Sequence, residues 1–229
     1  MHLGEEQSVA KLSDQGFDEV VLATGIIPRK LDIPGIEHEK VLSYLDILRD
    51  NKEAGNKVAI IGAGGIGFDV AEFITEEHSL STDADAWLKA WGIDKEYVNR
   101  GALTESAHPP SEKEVFLLQR KSTKVGKGLG KTTGWIHRAS LQSKNVQMIP
   151  GVSYDKIDDD GLHITVEDTQ RVLDVDSIIV CAGQEPNKAL YNELVDAGIK
   201  CRIIGGADVA AELDAKRAIR QGAELAALI

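Results

Sequence analysis

Residues 58–71 run VAIIGAGGIGFDVA, and no other stretch restricts the fold as much. Val58, Ala59, Ile60 and Ile61 form an unbroken apolar run, the pattern of a strand buried on both faces of a parallel sheet. Gly62, Gly64 and Gly67 follow at once, and Ile66, Val70, Phe73 and Ile74 then fall at helical spacing. Strand, glycine turn and helix, in that order, are the context that a Gly-x-Gly-x-x-Gly fingerprint requires. Gly62 permits the tight turn. Gly64 lacks the Cβ that would hold a diphosphate off the backbone, and Gly67 with Ala71 lets the helix lie close on the sheet. Gly65 and Ile66 complete the turn, whose unpaired N–H groups and partial positive charge suit a dinucleotide pyrophosphate. The plainer alternative is a glycine-rich turn that serves packing alone.

The rest of the chain agrees with an α/β protein. Residues 17–25 (FDEVVLATG) have the pattern of a short buried strand, and Pro28 and Pro34-Gly35 then interrupt regular structure. A helix is expected over 41–50 with Ser43 as N-cap, and the helix after the glycine turn is expected to end near Glu77. Residues 78–112 then delay the next strand. They place Trp87, Leu88 and Trp91 at helical spacing and close on His108-Pro109-Pro110, the mark of a helical insertion whose tryptophans are packing anchors. Strands follow at 115–119 and 146–149 with a helix between them at 133–143, then an alternating meander over 153–175 and a buried strand at 177–181. A strand-like RIIGG and a long helix over 209–228 finish the chain. This order gives a Rossmann-like, three-layer domain with a parallel sheet and a β-meander.

Composition narrows the partners. The net charge is −11 over 229 residues, which disfavours nucleic acid and anionic membranes. The charge is uneven: residues 113–144 hold eight basic side chains and the single acid Glu114, so that window carries +7 and the remainder −18. A positive patch on an acidic chain suits a phosphorylated ligand, the alternative being a solvated basic face. Arg120 and Lys121 stand with Gln119 where a carboxylate would mark NAD; a guanidinium clasps a 2′-phosphate instead, favouring NADP(H). Lys131 is equally suited to the 2′-phosphate or to another phosphate. GKGLGKTT (126–133) is one residue short of ATP-binding P-loop spacing. Asp208, after Gly205-Gly206, is placed to cap the last helix or to accept hydrogen bonds from ligand hydroxyls. Cys181 and Cys201 make neither a metal-ligand spacing nor a redox pair, and His78, His108, His137 and His163 show no partner. No apolar run is long enough to span a bilayer, and a cytoplasmic location fits.

Several motifs also occur together in one order: VVLATG with IPR, VLSYLDILRD, GAGGIG, LLQRK with GLGKTTGWIHR, CAGQEPN, and IIGGADVAAELDAKRAIRQG. Over essentially its whole length the chain resembles the C-terminal portion of bacterial NADPH-dependent 2,4-dienoyl-CoA reductases, within the old-yellow-enzyme-like iron–sulfur flavoproteins. The resemblance implies an NADPH domain (53–187) inserted between two FAD-binding segments (1–52 and 188–229). It implies flavin-nucleotide contacts at Thr24, Gly25, Gly206 and Asp208, and makes Ala182 and Gly183 of CAGQEPN candidate cofactor contacts. In such enzymes NADPH reduces FAD, and electrons cross an iron–sulfur cluster to FMN in a separate barrel. That barrel and its cysteine cluster have no counterpart here, nor has the first FAD glycine turn. The expectation is therefore a fragment with half an FAD site, NADP(H) binding at best, and little or no turnover. The rival readings are the same half of an enoate reductase or amine dehydrogenase, and a non-catalytic nucleotide-binding module.

Overall fold

A computed structural model describes residues 1–76, 79–211 and 215–229. In chain order its elements are α1 (Val9–Asp14), β1 (Val20–Leu22), β2 (Ile26–Pro28), β3 (Val41–Ser43), α2 (Tyr44–Leu48), β4 (Lys57–Ile61), α3 (Gly65–Thr75) and α4 (Ala84–Ala90). There follow β5 (Glu114–Leu118), α5 (Gly134–Ser143), β6 (Gln147–Ile149), β7 (Val152–Asp158), β8 (Gly161–Val166) and β9 (Thr169–Leu173). The chain ends with β10 (Ser177–Val180), β11 (Gln184–Pro186), α6 (Ala189–Asp196), β12 (Cys201–Ile203) and α7 (Ala215–Ala226). Two compact units result, one of residues 30–182 and one of residues 1–29 with 183–229. Among the described residues no helix is long and apolar enough to cross a membrane.

The larger unit is built on a five-stranded parallel sheet in the order β3-β10-β4-β5-β6. Its central strands are apolar past their first residues because both faces are covered, and alternate residues serve opposite layers. Val58 and Ile60 of β4, Val115 and Leu117 of β5, and Ile179 of β10 pack with Ile47, Phe68, Val70 and Leu141 of the helices. Ala59, Ile61, Leu118 and Ile178 pack on the other side against Val152, Ile157, Leu162, Ile164 and Leu173 of the antiparallel meander β7-β8-β9. Helices, parallel sheet and meander therefore form the three layers implied by the pattern of apolar residues. The turn from β8 to β9 places Glu167 and Asp168 at φ 49° and 61°, the left-handed pair that a two-residue hairpin needs. Cys181 closes β10: its N–H donates to Ile61 O at 2.8 Å, and burial pushes its thiol up to about 12.

In the smaller unit β1 pairs in parallel with β12, and β2 pairs antiparallel with β11. Val20, Leu22 and Leu194 form its buried cluster, with Val9 and Leu12 of α1 and Leu190 of α6 packed against them.

Several boundaries differ from those read in the sequence. The junctions near 52 and 187 give way to breaks at 29/30 and 182/183, because β3 hydrogen-bonds along β10 and draws 30–52 into the larger unit. Residues 41–43, expected to be helical, are that edge strand. Residues 79–112, expected to be a helical insertion, contain α4 and two 3₁₀ turns at Leu80–Thr82 and Arg100–Ala102, with the remainder in turns and irregular chain. α3 ends at Thr75, and the end expected at Glu77, with His78, lies outside the described residues. The long final helix begins at Ala215 instead of 209; residues 212–214 of the expected span are likewise outside.

Ser43 is the expected N-cap. It caps α2 in a reciprocal box, its hydroxyl accepting from Asp46 N and its own N–H donating to Asp46 Oδ2 at 2.7 Å. Lys52 Nζ lies 2.6 Å from Asp46 Oδ1. That cation, followed by the Ser43 hydrogen bonds, holds the Asp46 carboxyl down to about 2. A depressed folded value stabilises above the unfolded value of about 4 and loses that contribution as pH falls toward 2. Urea denaturation of Ser43→Ala is expected to show a loss of about 1 kcal/mol at pH 7. The loss should shrink between pH 4 and pH 2.

Candidate functional site

The glycine turn joins the C-terminal end of β4 to α3, and its glycines divide into two kinds. Gly62 has φ 109°, donates its N–H to Leu118 O at 3.0 Å, and sits so close to Ala182 that a Cβ on it would lie 2.9 Å from the Ala182 backbone. A Cβ on Gly67 would lie 1.8 Å from Gly62 O. These two positions are glycine for packing. Gly64 and Gly65 are the opposite: a Cβ on either would meet nothing within 4 Å. Gly64 is the N-cap of α3, and no side chain caps the helix. The first-turn amides, including Ile66, thus open onto free space at a helix N-terminus, the arrangement that receives phosphate.

The neighbouring strand delivers the cations. β5 pairs with β4 in parallel, Leu118 opposite Ile61, so Gln119, Arg120 and Lys121 emerge beside the turn. Gln119, which stands with these two cations at the strand end, serves the loop itself. Its Nε2 donates to Lys121 O at 2.8 Å and Thr123 O at 2.7 Å, which ties down the loop after the strand. Arg120 and Lys121 are exposed. Arg120 follows Phe116 and Leu118 on the meander side, near Tyr154, whose phenol burial pushes up while the Arg120 charge opposes. Val125 and Leu129 anchor the basic loop in the helical layer, and Gly126 fits against the Phe68 ring, where a Cβ would lie 2.7 Å from Cζ. Arg138 Nη1 donates to Gly126 O at 2.9 Å. Lys124, Lys127 and Lys131 are exposed on a loop held against the first turn of α3. The loop ends at Thr133, the N-cap of α5, which also has no side-chain cap. The packing role of Gly126 and Val125 was missed; the apolar Val125 inside a basic run was its sequence signal.

The remaining candidates are placed differently. Ala182 belongs with the glycine turn through Gly62. In the smaller unit, Thr24 Oγ1 donates to Asn187 O at 2.7 Å and Asn187 N–H donates to Gly25 O at 3.0 Å, so this turn is closed on itself. Gly183 has φ 89° and lies against Arg29. Gly206 is in a 3₁₀ turn ending at Asp208. Asp208 Oδ2 accepts from Gln221 Nε2, within the last helix, at 3.0 Å, while Gln221 Oε1 accepts from Gly205 N at 2.8 Å. Two of the histidines thought unpartnered have carboxylate partners: Glu72 lies 3.1 Å from His137, and Asp158 lies 2.7 Å from His163.

Comparison with known proteins places the chain in a family. A family model described as pyridine nucleotide-disulphide oxidoreductase matches residues 2–217. A metal reductase of Desulforamulus reducens is 26% identical over 212 residues, 88% of this chain and 29% of that protein. A cinnamate reductase of Clostridium sporogenes is 26% identical over 212 residues, 88% of this chain and 25% of that protein. A 2-naphthoyl-CoA reductase, solved as its 2-naphthoyl-CoA complex, shares the fold at TM-score 0.74 and 22% identity, covering 96% of this chain and 28% of that one. The chain thus spans between a quarter and three-tenths of these proteins.

The two kinds of glycine should separate in stability. Gly67→Ala is expected to cost about 1–3 kcal/mol through overpacking against Gly62 O, with the upper end favoured because the obstacle is backbone. Gly65→Ala, in the first helical turn with open space above it, should change stability by less than about 1 kcal/mol, toward greater stability. Urea denaturation of the two variants checks this.

Proposed function

The chain belongs to the pyridine nucleotide-disulphide oxidoreductase family, and we propose that it is the nicotinamide- and flavin-nucleotide-binding region of an NADPH-dependent 2,4-dienoyl-CoA reductase. It is a flavin- and nicotinamide-dependent oxidoreductase domain. NADPH is assigned to residues 30–182, and FAD to the smaller unit with Thr24, Gly25, Gly183, Gly206 and Asp208.

One observation carries the NADPH assignment. The space over Gly64 and Gly65, at an uncapped helix start, is flanked by a loop whose exposed cations are held there by Val125 and Gly126. A pyrophosphate fits where a Cβ meets nothing, and its charge suits the first-turn amides of α3. Arg120 and Lys121 would hold the 2′-phosphate, with Lys131 on the same loop for this or another phosphate. Bound NADPH supplies the hydride that reduces the flavin. The protein's part is to orient the cofactor and neutralise its phosphates.

The dienoyl-CoA substrate is assigned from the motifs LLQRK, GLGKTTGWIHR and VLSYLDILRD. FMN, the iron–sulfur cluster and the barrel that would contain the substrate site belong to the rest of such an enzyme. On this reading the chain alone binds nucleotide and turns over little or not at all. A second reading, the same half of an enoate reductase, is supported by the likeness to the cinnamate reductase.

Calorimetry with NADPH and NADH tests the assignment. Arg120→Glu should weaken NADPH by about 10- to 100-fold, as loss of a charge-assisted phosphate contact implies, and weaken NADH far less. Gly65→Ala should weaken both dinucleotides while leaving the fold intact. Equal losses for the two dinucleotides on Arg120→Glu would remove the 2′-phosphate assignment, and no heat with either would remove the site.

A further inference from the structure

At the end of α3 remote from the glycine turn, a cavity of 450 Å³ lies between the helical layer and the segment inserted after α3. α3 and α5 pack side by side, and Thr75, Ile136, Ser140 and Lys144 form one wall. Trp87 and Trp91 of α4, with His108, Pro109 and Pro110, form the other. No residue of the glycine turn or of the loop 119–133 lines it. Gly65 and Thr75 are separated by about 15 Å along the helix axis, so the cavity is distinct from the dinucleotide site.

The walls have a definite chemistry. The Trp87 and Trp91 rings lie 6.0 Å apart and tilted by 38°, and His108 meets Trp91 edge-on at 4.8 Å. Trp87 is 42% exposed and Trp91 half-buried, and neither is among the buried core residues. Expected as packing anchors, they line a space of a size typical for small ligands. The polar groups are uneven. Of the two acids among the described residues that line the cavity, Glu72 is taken by His137, at 3.1 and 3.2 Å from its two oxygens, and Glu76 is exposed. Lys144 is the notable cation. Burial lowers its affinity for the proton more than Glu76 and Glu72 raise it, and among the described residues no carboxylate lies within 4.0 Å of its Nζ. The Ser140 hydroxyl, one helical turn before Lys144 on the same face, also has no hydrogen-bond partner among the described residues. His108 is held toward its neutral form, first by burial and then by Lys144. The Lys144 ammonium and the Ser140 hydroxyl, with no hydrogen-bond partner among the described residues, thus stand with the His108 ring beside two indoles and two prolines. A carboxylate would satisfy the first two while a flat apolar body covers the rings.

We propose that this cavity is a second binding site, for an aromatic monocarboxylate whose ring lies against Trp87 and Trp91 and whose carboxylate accepts hydrogen bonds from Lys144 Nζ and Ser140 Oγ. The proposal is independent of the dinucleotide assignment. Failure of the NADPH titration would leave it standing.

The probes are 3-phenylpropionate, 3-phenylpropan-1-ol and 3-phenylpropylamine, alike in shape and different in charge. Each is titrated into the chain by calorimetry. Each is also followed by tryptophan fluorescence in a Trp135→Phe background, since Trp135 is 58% exposed outside the cavity and would add an unrelated signal. The carboxylate should bind saturably, with Kd on the order of 1 mM for a ligand of this size, and perturb Trp87 and Trp91 emission. The alcohol should bind about tenfold more weakly and the amine more weakly still. Lys144→Gln should weaken the carboxylate about tenfold and Ser140→Ala about threefold, each with an unchanged far-ultraviolet circular dichroism spectrum. If Lys144→Gln fails to fold, Ser140→Ala and the alcohol decide. Saturating NADPH should leave the carboxylate affinity unchanged. Absence of saturable binding would overturn the proposal, as would an amine binding as tightly as the acid. Indifference to both substitutions, or displacement of the carboxylate by NADPH, would overturn it equally.

Discussion

The close approach of Gly67 to the carbonyl oxygen of Gly62 sets the position of α3 on the sheet, and most of the larger unit depends on it. With no Cβ at either position, the helix begins directly above the end of β4. Val70 and Ala71 then reach the sheet, and Phe68 stands where Gly126 of the basic loop can close on it. A bulkier residue at position 67 would move helix, phenyl ring and loop together. The same contact that packs the layers therefore also brings first-turn amides and lysines to one place. Backbone proximity here is a packing requirement first and a binding opportunity second.

Where sequence was informative, period and chain geometry were the reason. Both-sided burial made β4, β5 and β10 continuous apolar runs, and the glycine spacing fixed what followed β4. The capping Ser43 was legible because its reciprocal partner lies three residues on. Three short strands were not legible: nothing local marks β2, β3 and β11, which exist through pairing with distant strands. The hairpin at Glu167-Asp168 carries none of the usual glycine or asparagine, so tertiary pairing of β8 and β9 imposes its backbone.

How the candidate side chains are engaged within the fold was not legible in the sequence, for one recurring reason. Residue type suggests ligand contact, but many polar side chains near a turn are occupied in holding the turn. Gln119 fastens the loop that carries the lysines, Asp208 is bound to Gln221, and Thr24 is bound to Asn187 O. Such bonds are invisible in sequence because their partners are backbone groups or residues far along the chain. What distinguishes Arg120, Lys121 and Lys131 is exposure on a fixed scaffold. The concentration of positive charge in 113–144, within a chain whose remainder carries −18, gives that scaffold a field of its own sign.

Cys181 has a use that its inertness creates. Its thiol is 8% exposed and pushed up to about 12, so very little of it is the reactive thiolate in neutral solution. Its N–H is bonded to Ile61 O at the end of β10, so an alkylating reagent gains fuller access when this end of the strand opens. Cys201, half-buried and less strongly shifted, reacts without that event. The pair therefore makes the native polypeptide its own clock: the lag between first and second modification times the breathing of the central strands, with no label introduced.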